Sequence, residues 1–284
     1  MKAFFRRLPR PATVLTSLVF LLRRMKAFFR RLPRPVTVLI SLVFWVGLWW
    51  LIAAKFVGNP YILPTPPATL KALWALAKTG GFWRTVALSL VRIFSGVAAA
   101  LVAGTLLAVL TVKSRFLHTL FSPLLALCKA TPVASVIFLI LLWVGRARVP
   151  FLISFMMALP IAWSNVREGI LQTDKQLLEM AEVFHLGFFK KLRRIHVPSV
   201  LPFFLAACRT ALGLGWKAGV AAEVLCVPEN SIGRAIYEGK LYLMTDELFA
   251  WTLVVVLISM AVEFAVIRLL TPARRGKESE HADA

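Results

Sequence analysis

Val36-Thr37-Val38-Leu39-Ile40-Ser41-Leu42-Val43-Phe44-Trp45-Val46-Gly47-Leu48-Trp49-Trp50-Leu51-Ile52-Ala53-Ala54 runs for nineteen residues without a charge. As a helix it rises about 28 Å, enough to cross a hydrocarbon core of roughly 30 Å. The stretch therefore reads as a membrane span, and it sets the frame for what flanks it. Downstream, Gly58-Asn59-Pro60 and Leu63-Pro64-Thr65-Pro66-Pro67 form a proline-rich loop, followed by a short amphipathic helix over Leu70–Leu76 and a break at Gly80-Gly81. Upstream, residues 1–22 recur as 25–46 with four differences, Ala12/Val36, Thr16/Ile40, Leu21/Trp45 and Leu22/Val46. The first copy has only about ten apolar residues, Thr13 to Leu22, before Arg23-Arg24, too few to cross. Residues 1–24 read as a duplicated basic segment: a local duplication, or sequence ahead of a start at Met25.

Composition agrees with a membrane protein. Of 284 residues, 59% are hydrophobic and 17% charged, and mean hydropathy is +0.77. Soluble domains hold roughly 45–50% apolar residues, so a water-soluble globule or a nucleic-acid binder does not fit. Further apolar stretches at 86–112, 116–145, 149–166, 199–226 and 247–270 bring the predicted spans to six. Pro132 interrupts the third and Pro160 falls inside the fourth, which bundles tolerate where neighbours satisfy the freed carbonyls. Gly96-x3-Ala100-x3-Gly104 and Ala211-x3-Gly215-x3-Gly219 each put small residues on one face, where helix backbones approach closely. Cys128, Cys208 and Cys226 lie in apolar runs without metal-ligand spacing and read as structural thiols. The fold expected is an all-α polytopic membrane helix bundle. It comprises a first span with its outer loop over 25–80, a core over 81–270 containing a loop over 167–198, and a polar, disordered tail over 271–284.

The formal charge of +21 is largely an orientation signal. Counted from Met25, sixteen Lys and Arg fall in segments around 26–34, 113–115, 167–194 and 268–277, and eight on the opposite side, Arg146 and Arg148 among them. The positive-inside rule puts both termini and the 167–198 loop in the cytoplasm.

That loop is the most informative segment. Thr173-Asp174-Lys175-Gln176 fits a capping box with Thr173 as N-cap. Leu177, Met180, Ala181 and Phe184 then share one face of a short helix, opposite Lys175, Glu179 and Glu182, and Gly187 can end it. Phe188-Phe189-Lys190-Lys191-Leu192-Arg193-Arg194-Ile195 mixes aromatics with cations in a way suited to a headgroup layer, and Pro198 and Pro202 open the fifth span.

Glu179-Met180-Ala181, with His185, Ile195, Val197 and Pro198 at the spacing Glu-Ala-Ala-x3-Gly-x9-Ile-x-Leu-Pro, resembles the cytoplasmic loop of ABC importer permeases. Met180, His185 and Val197 depart from the usual Ala, Gly and Leu. Leu63-Pro64-Thr65-Pro66, Ser89-Leu90-x-Arg92, Lys129-Ala130-Thr131-Pro132-Val133-Ala134-Ser135, Trp216 through Glu223, and Ser231-Ile232-Gly233 extend the resemblance over about 60–270, toward the nitrate/sulfonate/taurine branch. The resemblance implies a multi-pass permease subunit of a bacterial inner membrane, paired with a second copy. It also implies separate ATP-hydrolysing subunits and an extracytoplasmic solute-binding protein as partners. Glu179, Met180, Ala181, Phe184, His185 and Gly187 would then form the coupling helix and its exit, meeting the ATPase subunit, with Glu179 the polar contact.

The chain contains no G-x4-G-K-[ST], so energy is expected from another chain or an ion gradient. No enzyme motif, metal spacing or cofactor signature stands out. Lys129, Lys217 and Glu223, with Arg92, Arg209 and Glu263, lie in or near spans, where ionisable groups mark a pathway or fix packing through a partner. Lys129 is the expected partner of Glu223, and cations along a passage would favour an anionic solute. The residues alone leave two rivals: a single-chain ion-coupled transporter that uses these charges, and a membrane scaffold without transport.

Overall fold

The computed structural model describes residues 33–280, and every regular element among them is helical. The duplicated segment 1–24 lies outside the described residues. The chain divides into two compact units, one up to Pro66 and one from Pro67.

In the first unit, α1 (Arg34–Leu51) starts behind Pro33 and Pro35, suited to a helix start because the N–H that proline lacks has no intrahelical partner there. It continues through a π-helical turn, Ile52–Val57, and stops at Gly58, whose φ of 62° is left-handed and open to glycine without a Cβ clash. The following loop is held by Trp49, whose indole N–H donates to the Pro64 carbonyl at 3.1 Å.

In the second unit, α2 (Pro66–Ala77) is the expected amphipathic helix, and α3 (Gly80–Lys113) is a span of 34 residues, N-capped by Thr79. Next come α4 (Arg115–Ala130) and α5 (Val133–Leu141), bent by 105° at Thr131-Pro132. Proline forces the residue before it out of the helical region, and Thr131 sits at ψ 133°. The break expected at Pro132 is real. At about 24 Å and 14 Å neither half crosses alone, and the freed groups are satisfied locally: Thr131 Oγ1 donates to Leu127 O at 2.6 Å and Ser135 Oγ to Pro132 O at 2.8 Å. α6 (Val149–Leu171) carries Pro160 within a continuous helix.

After the loop, α7 (Lys175–Val183) and α8 (Phe188–Lys191) lead through a π-helical turn, Leu192–His196, into α9 (Val197–Cys226). Pro198 stands in the first turn of α9, as expected, while Pro202 lies inside it, and helix of one kind or another runs without a break from Phe188 to Cys226. A proline ring clashes with the carbonyl four residues back, and the wider π turn just ahead of Pro198 relieves that crowding. α10 (Ile232–Leu241) precedes α11 (Thr245–Glu280), of which Thr245–Val266 is long and apolar enough to cross. Residues 271–280, expected as disordered tail, continue that helix. Among the described residues five helices can span, or six counting the bent pair, which agrees with the all-α polytopic bundle read from sequence.

The core is built by α3, α6 and α9. Both small-residue motifs face inward: Gly96 lies against the Phe151 backbone, a Cβ at Gly104 would come within 2.6 Å of Ala162 Cβ, and Gly219 abuts Ser154 and Ile93. Ala100 and Ala211 join Val97 and Ala158 in one buried cluster between them. Two buried hydrogen bonds cross this seam, Ser154 Oγ to Gly215 O at 3.0 Å and Trp163 Nε1 to Thr111 Oγ1 at 2.9 Å. Cys226 is buried, Cys128 and Cys208 are half-buried, and all three are free thiols.

Candidate functional site

The loop helix α7 starts one residue later than its sequence suggests. Asp174, not Thr173, is the N-cap, its Oδ1 accepting from Gln176 N at 2.8 Å. Both are good caps. Thr173 is buried and donates to Gly169 O at 3.4 Å, finishing α6 and leaving the cap to Asp174. The helix ends in a Schellman motif: His185 N donates to Glu182 O at 3.0 Å and Leu186 N to Ala181 O at 2.9 Å. His185 occupies the left-handed position at φ 47°, so the turn is made there and not at Gly187, which instead precedes Phe188 as the N-cap of α8. Lys191 reaches back to Glu182 at 3.3 Å and ties α8 to α7.

The exposed surface of α7 differs from the amphipathic face drawn from spacing. Ala181, expected to face outward, is 1% exposed and packs within this chain, with Leu178 half-buried on the same side. Glu179 and Val183, one turn apart, and Met180 and Phe184 beside them form the outward face, with Phe184 70% exposed. Glu179 makes no ion pair among the described residues.

A second constellation lies at the other end of α9. Glu223 is fully buried and every oxygen is used: Oε1 accepts from Arg92 at 2.8 Å, and Oε2 from Ser89 Oγ at 2.8 Å and Gly233 N at 3.3 Å. Ser89 Oγ accepts in turn from Ile232 N at 2.9 Å. Ile232 and Gly233 open α10, so α3 and α9 supply the acceptors that the first turn of a helix lacks, with Ser231 Oγ taking Arg234 N at 3.1 Å. A carboxylate at that end is also favoured by the helix dipole. Gly233 has to be glycine, because a Cβ would fall on the Glu223 backbone.

The expected pairing of Lys129 with Glu223 is overturned, since Arg92 fills that role. Lys129 and Lys217 are both exposed and make no ion pair among the described residues. Lys217 and Glu223, six apart, point to different sides of α9 as their spacing requires. Arg209 and Glu263 join α9 to α11 at 3.1 Å. Sequence reading missed the Arg92–Glu223 bond because 131 residues separate the partners. A signal was present nonetheless: Ser89 and Arg92 share a helix face at i, i+3, and Ser231-Ile232-Gly233 carries the cap.

Three of the separated motifs, around 89–92, 216–223 and 231–233, thus meet in one place. The family model for binding-protein-dependent transport system inner membrane components matches residues 96–275. The chain belongs to that family. It is 27% identical over 235 residues to the taurine transport system permease protein of Escherichia coli strain K12, covering 79% of this chain and 85% of the relative. The putative aliphatic sulfonates transport permease protein of the same organism is 27% identical, covering 71% and 76%. The bicarbonate transport system permease protein of Synechococcus elongatus is 26% identical, covering 61% and 68%. This permease is accordingly the multi-pass inner-membrane component of an ABC importer, and α7 is the loop helix on which its resemblance to that family first rested.

Proposed function

We propose that two copies of the permease form a gated path for a small anionic solute, delivered by a separate solute-binding protein and driven by separate ATP-hydrolysing subunits docked on α7. The observation that carries the docking is the outward face of α7: Glu179 flanked by exposed Met180, Val183 and Phe184, a compact apolar patch with one carboxylate. His185 and Gly187 shape the exit from that helix, and Ala181 anchors it from within. An anionic solute is supported by the relatives' names, since taurine, aliphatic sulfonates and bicarbonate each carry an anionic group. The surplus of cations on the α7 side supports a cytoplasmic loop and termini. The core of this reading spans 81–270, with 25–80 supplying the first span and outer loop and 271–284 a cytoplasmic tail.

Reconstitution with ATPase subunits and binding protein tests the reading. Glu179→Arg is expected to reduce ATP-driven uptake at least tenfold while membrane insertion is unchanged; retained uptake counts against docking on α7. Uptake by the permease alone, with no ATPase present, would overturn the ATP-driven reading altogether. Lys129→Ala and Lys217→Ala separate path from packing: loss of anion uptake with intact assembly is expected if either lysine borders the path.

A further inference from the structure

Beside α8 lies a cavity of about 540 Å³ between the last turns of α3, the end of α6, and the segment 188–204. Its walls are almost wholly apolar, with Val109, Ile170, Phe188, Leu201 and Phe204 prominent. Its chemistry changes at one end only, where Lys113 and His196 complete the lining. From Thr105 to Lys113 along α3, and from Phe204 back to His196 along α9, the groove extends about 12 Å from its dry end to its cationic end.

The same segment carries a second cationic group. Lys190, Arg193 and Arg194 are exposed and gather around a shallow hollow with Phe189. Of the cations on this segment Lys191 alone is neutralised, by Glu182; Lys190, Arg193 and Arg194 make no ion pair among the described residues. The π-helical turn over Leu192–His196 carries residues of both, Leu192 and His196 on the groove and Arg193 and Arg194 on the hollow, and such local departures recur at functional sites. Cations at the membrane edge of an interhelical pocket are suited to an anionic headgroup, and the apolar groove continues inward along the helices as an acyl chain would. A volume of 540 Å³ is within the range of roughly 300–1,000 Å³ of ligand sites.

We infer that this groove binds one anionic phospholipid, an acyl chain lying against Val109, Ile170 and Phe204 and the phosphate facing Lys113 and His196, with Lys190, Arg193 and Arg194 of the same segment adding attraction through their field rather than by contact. The lipid belongs to the leaflet bordering the α7 loop. It fills the wedge between α3, α6 and the start of α9, so the loop segment rests on lipid as well as on protein. The site needs only that the chain is embedded in a bilayer and is independent of which solute is carried.

Native mass spectrometry of the purified full-length permease, titrated with phosphatidylglycerol or phosphatidylcholine of identical acyl chains, tests the site without a transport readout. One phosphatidylglycerol per chain is expected to be retained at least tenfold more tightly than phosphatidylcholine. The triple variant Lys190→Gln, Arg193→Gln, Arg194→Gln, or Lys113→Gln alone, is expected to erode that preference with melting temperature unchanged. Leu201→Trp, a substitution at a surface-exposed lining position, is expected to fill the groove and reduce retention of both lipids. Equal retention of the two lipids by the unaltered protein overturns the inference, as does a triple variant that keeps its preference. Efficient disulfide cross-linking of Leu201→Cys between two copies also overturns it, because a second chain then occupies the groove.

Discussion

His185 shows how much one residue can decide. The Schellman exit from α7 requires a left-handed residue, and the chain puts histidine there at φ 47°, where glycine avoids a steric cost of about 1–2 kcal/mol. Glycine also loses more backbone freedom on folding, roughly 0.5–1 kcal/mol. His185→Gly is therefore expected to stabilise the loop by at most about 1.5 kcal/mol, read as slower hydrogen exchange at Leu186 N–H. His185→Val should act in the opposite direction. At Glu223 the stakes are larger: Glu223→Ala leaves the Arg92 guanidinium without its carboxylate and the Gly233 N–H without an acceptor. Removing one partner of a buried pair costs about 3–5 kcal/mol, so a sharply lowered melting temperature and poor recovery from the membrane are expected. The cap at Asp174 was not legible to the residue because Thr173 has equal local chemistry. Only burial of Thr173 against the end of α6, a tertiary fact, decides between them.

At the scale of elements, the spans were legible because apolar length is a local property, and Val36–Ala54 needs no partner to announce itself. Helix ends were less so, as α9 shows. Its prolines look like a start, yet the helix runs through them on a π turn whose register depends on the surrounding packing. The α4–α5 bend belongs between these cases, since Pro132 signals a break while its angle of 105° also has α5 packed into the bundle, Ile137 sharing a buried cluster with Ile153 and Ala222. Pro132→Ala removes the restriction on Thr131 and is expected to open the bend. Spin labels at the exposed positions Leu120 and Phe138 would then move apart; an unchanged distance would assign the bend wholly to packing.

For the molecule as a whole, the seam of α3, α6 and α9 holds through small residues, since apolar side chains gain little by leaving lipid for protein. Gly96→Val or Gly104→Leu is expected to force the helices apart, at a cost of at least about 1–3 kcal/mol, measured as a lower melting temperature in detergent. The motifs themselves were legible as packing faces. What they pack against is a third such face, Ser154-x3-Ala158-x3-Ala162 on α6, and that pairing was not legible, because spacing marks a packing face without naming its partner. The Glu223 constellation was hidden for the same reason, as it joins three elements dispersed along the chain and exists only once the bundle has closed.

The uninterrupted helix from Phe188 to Cys226 has a mechanical consequence. Thirty-nine residues make a rod about 58 Å long, bound at one end to the α7 loop through Lys191 and at the other to α3 and α10 through Glu223. Ala207 and Ala211, fully buried near its midpoint, offer a fulcrum with little side chain to obstruct rocking. On the docking proposed above, a thrust on α7 at one membrane face is expected to swing the Glu223 end in the opposite direction at the far face, the rod working as a see-saw between the two sides of the bilayer.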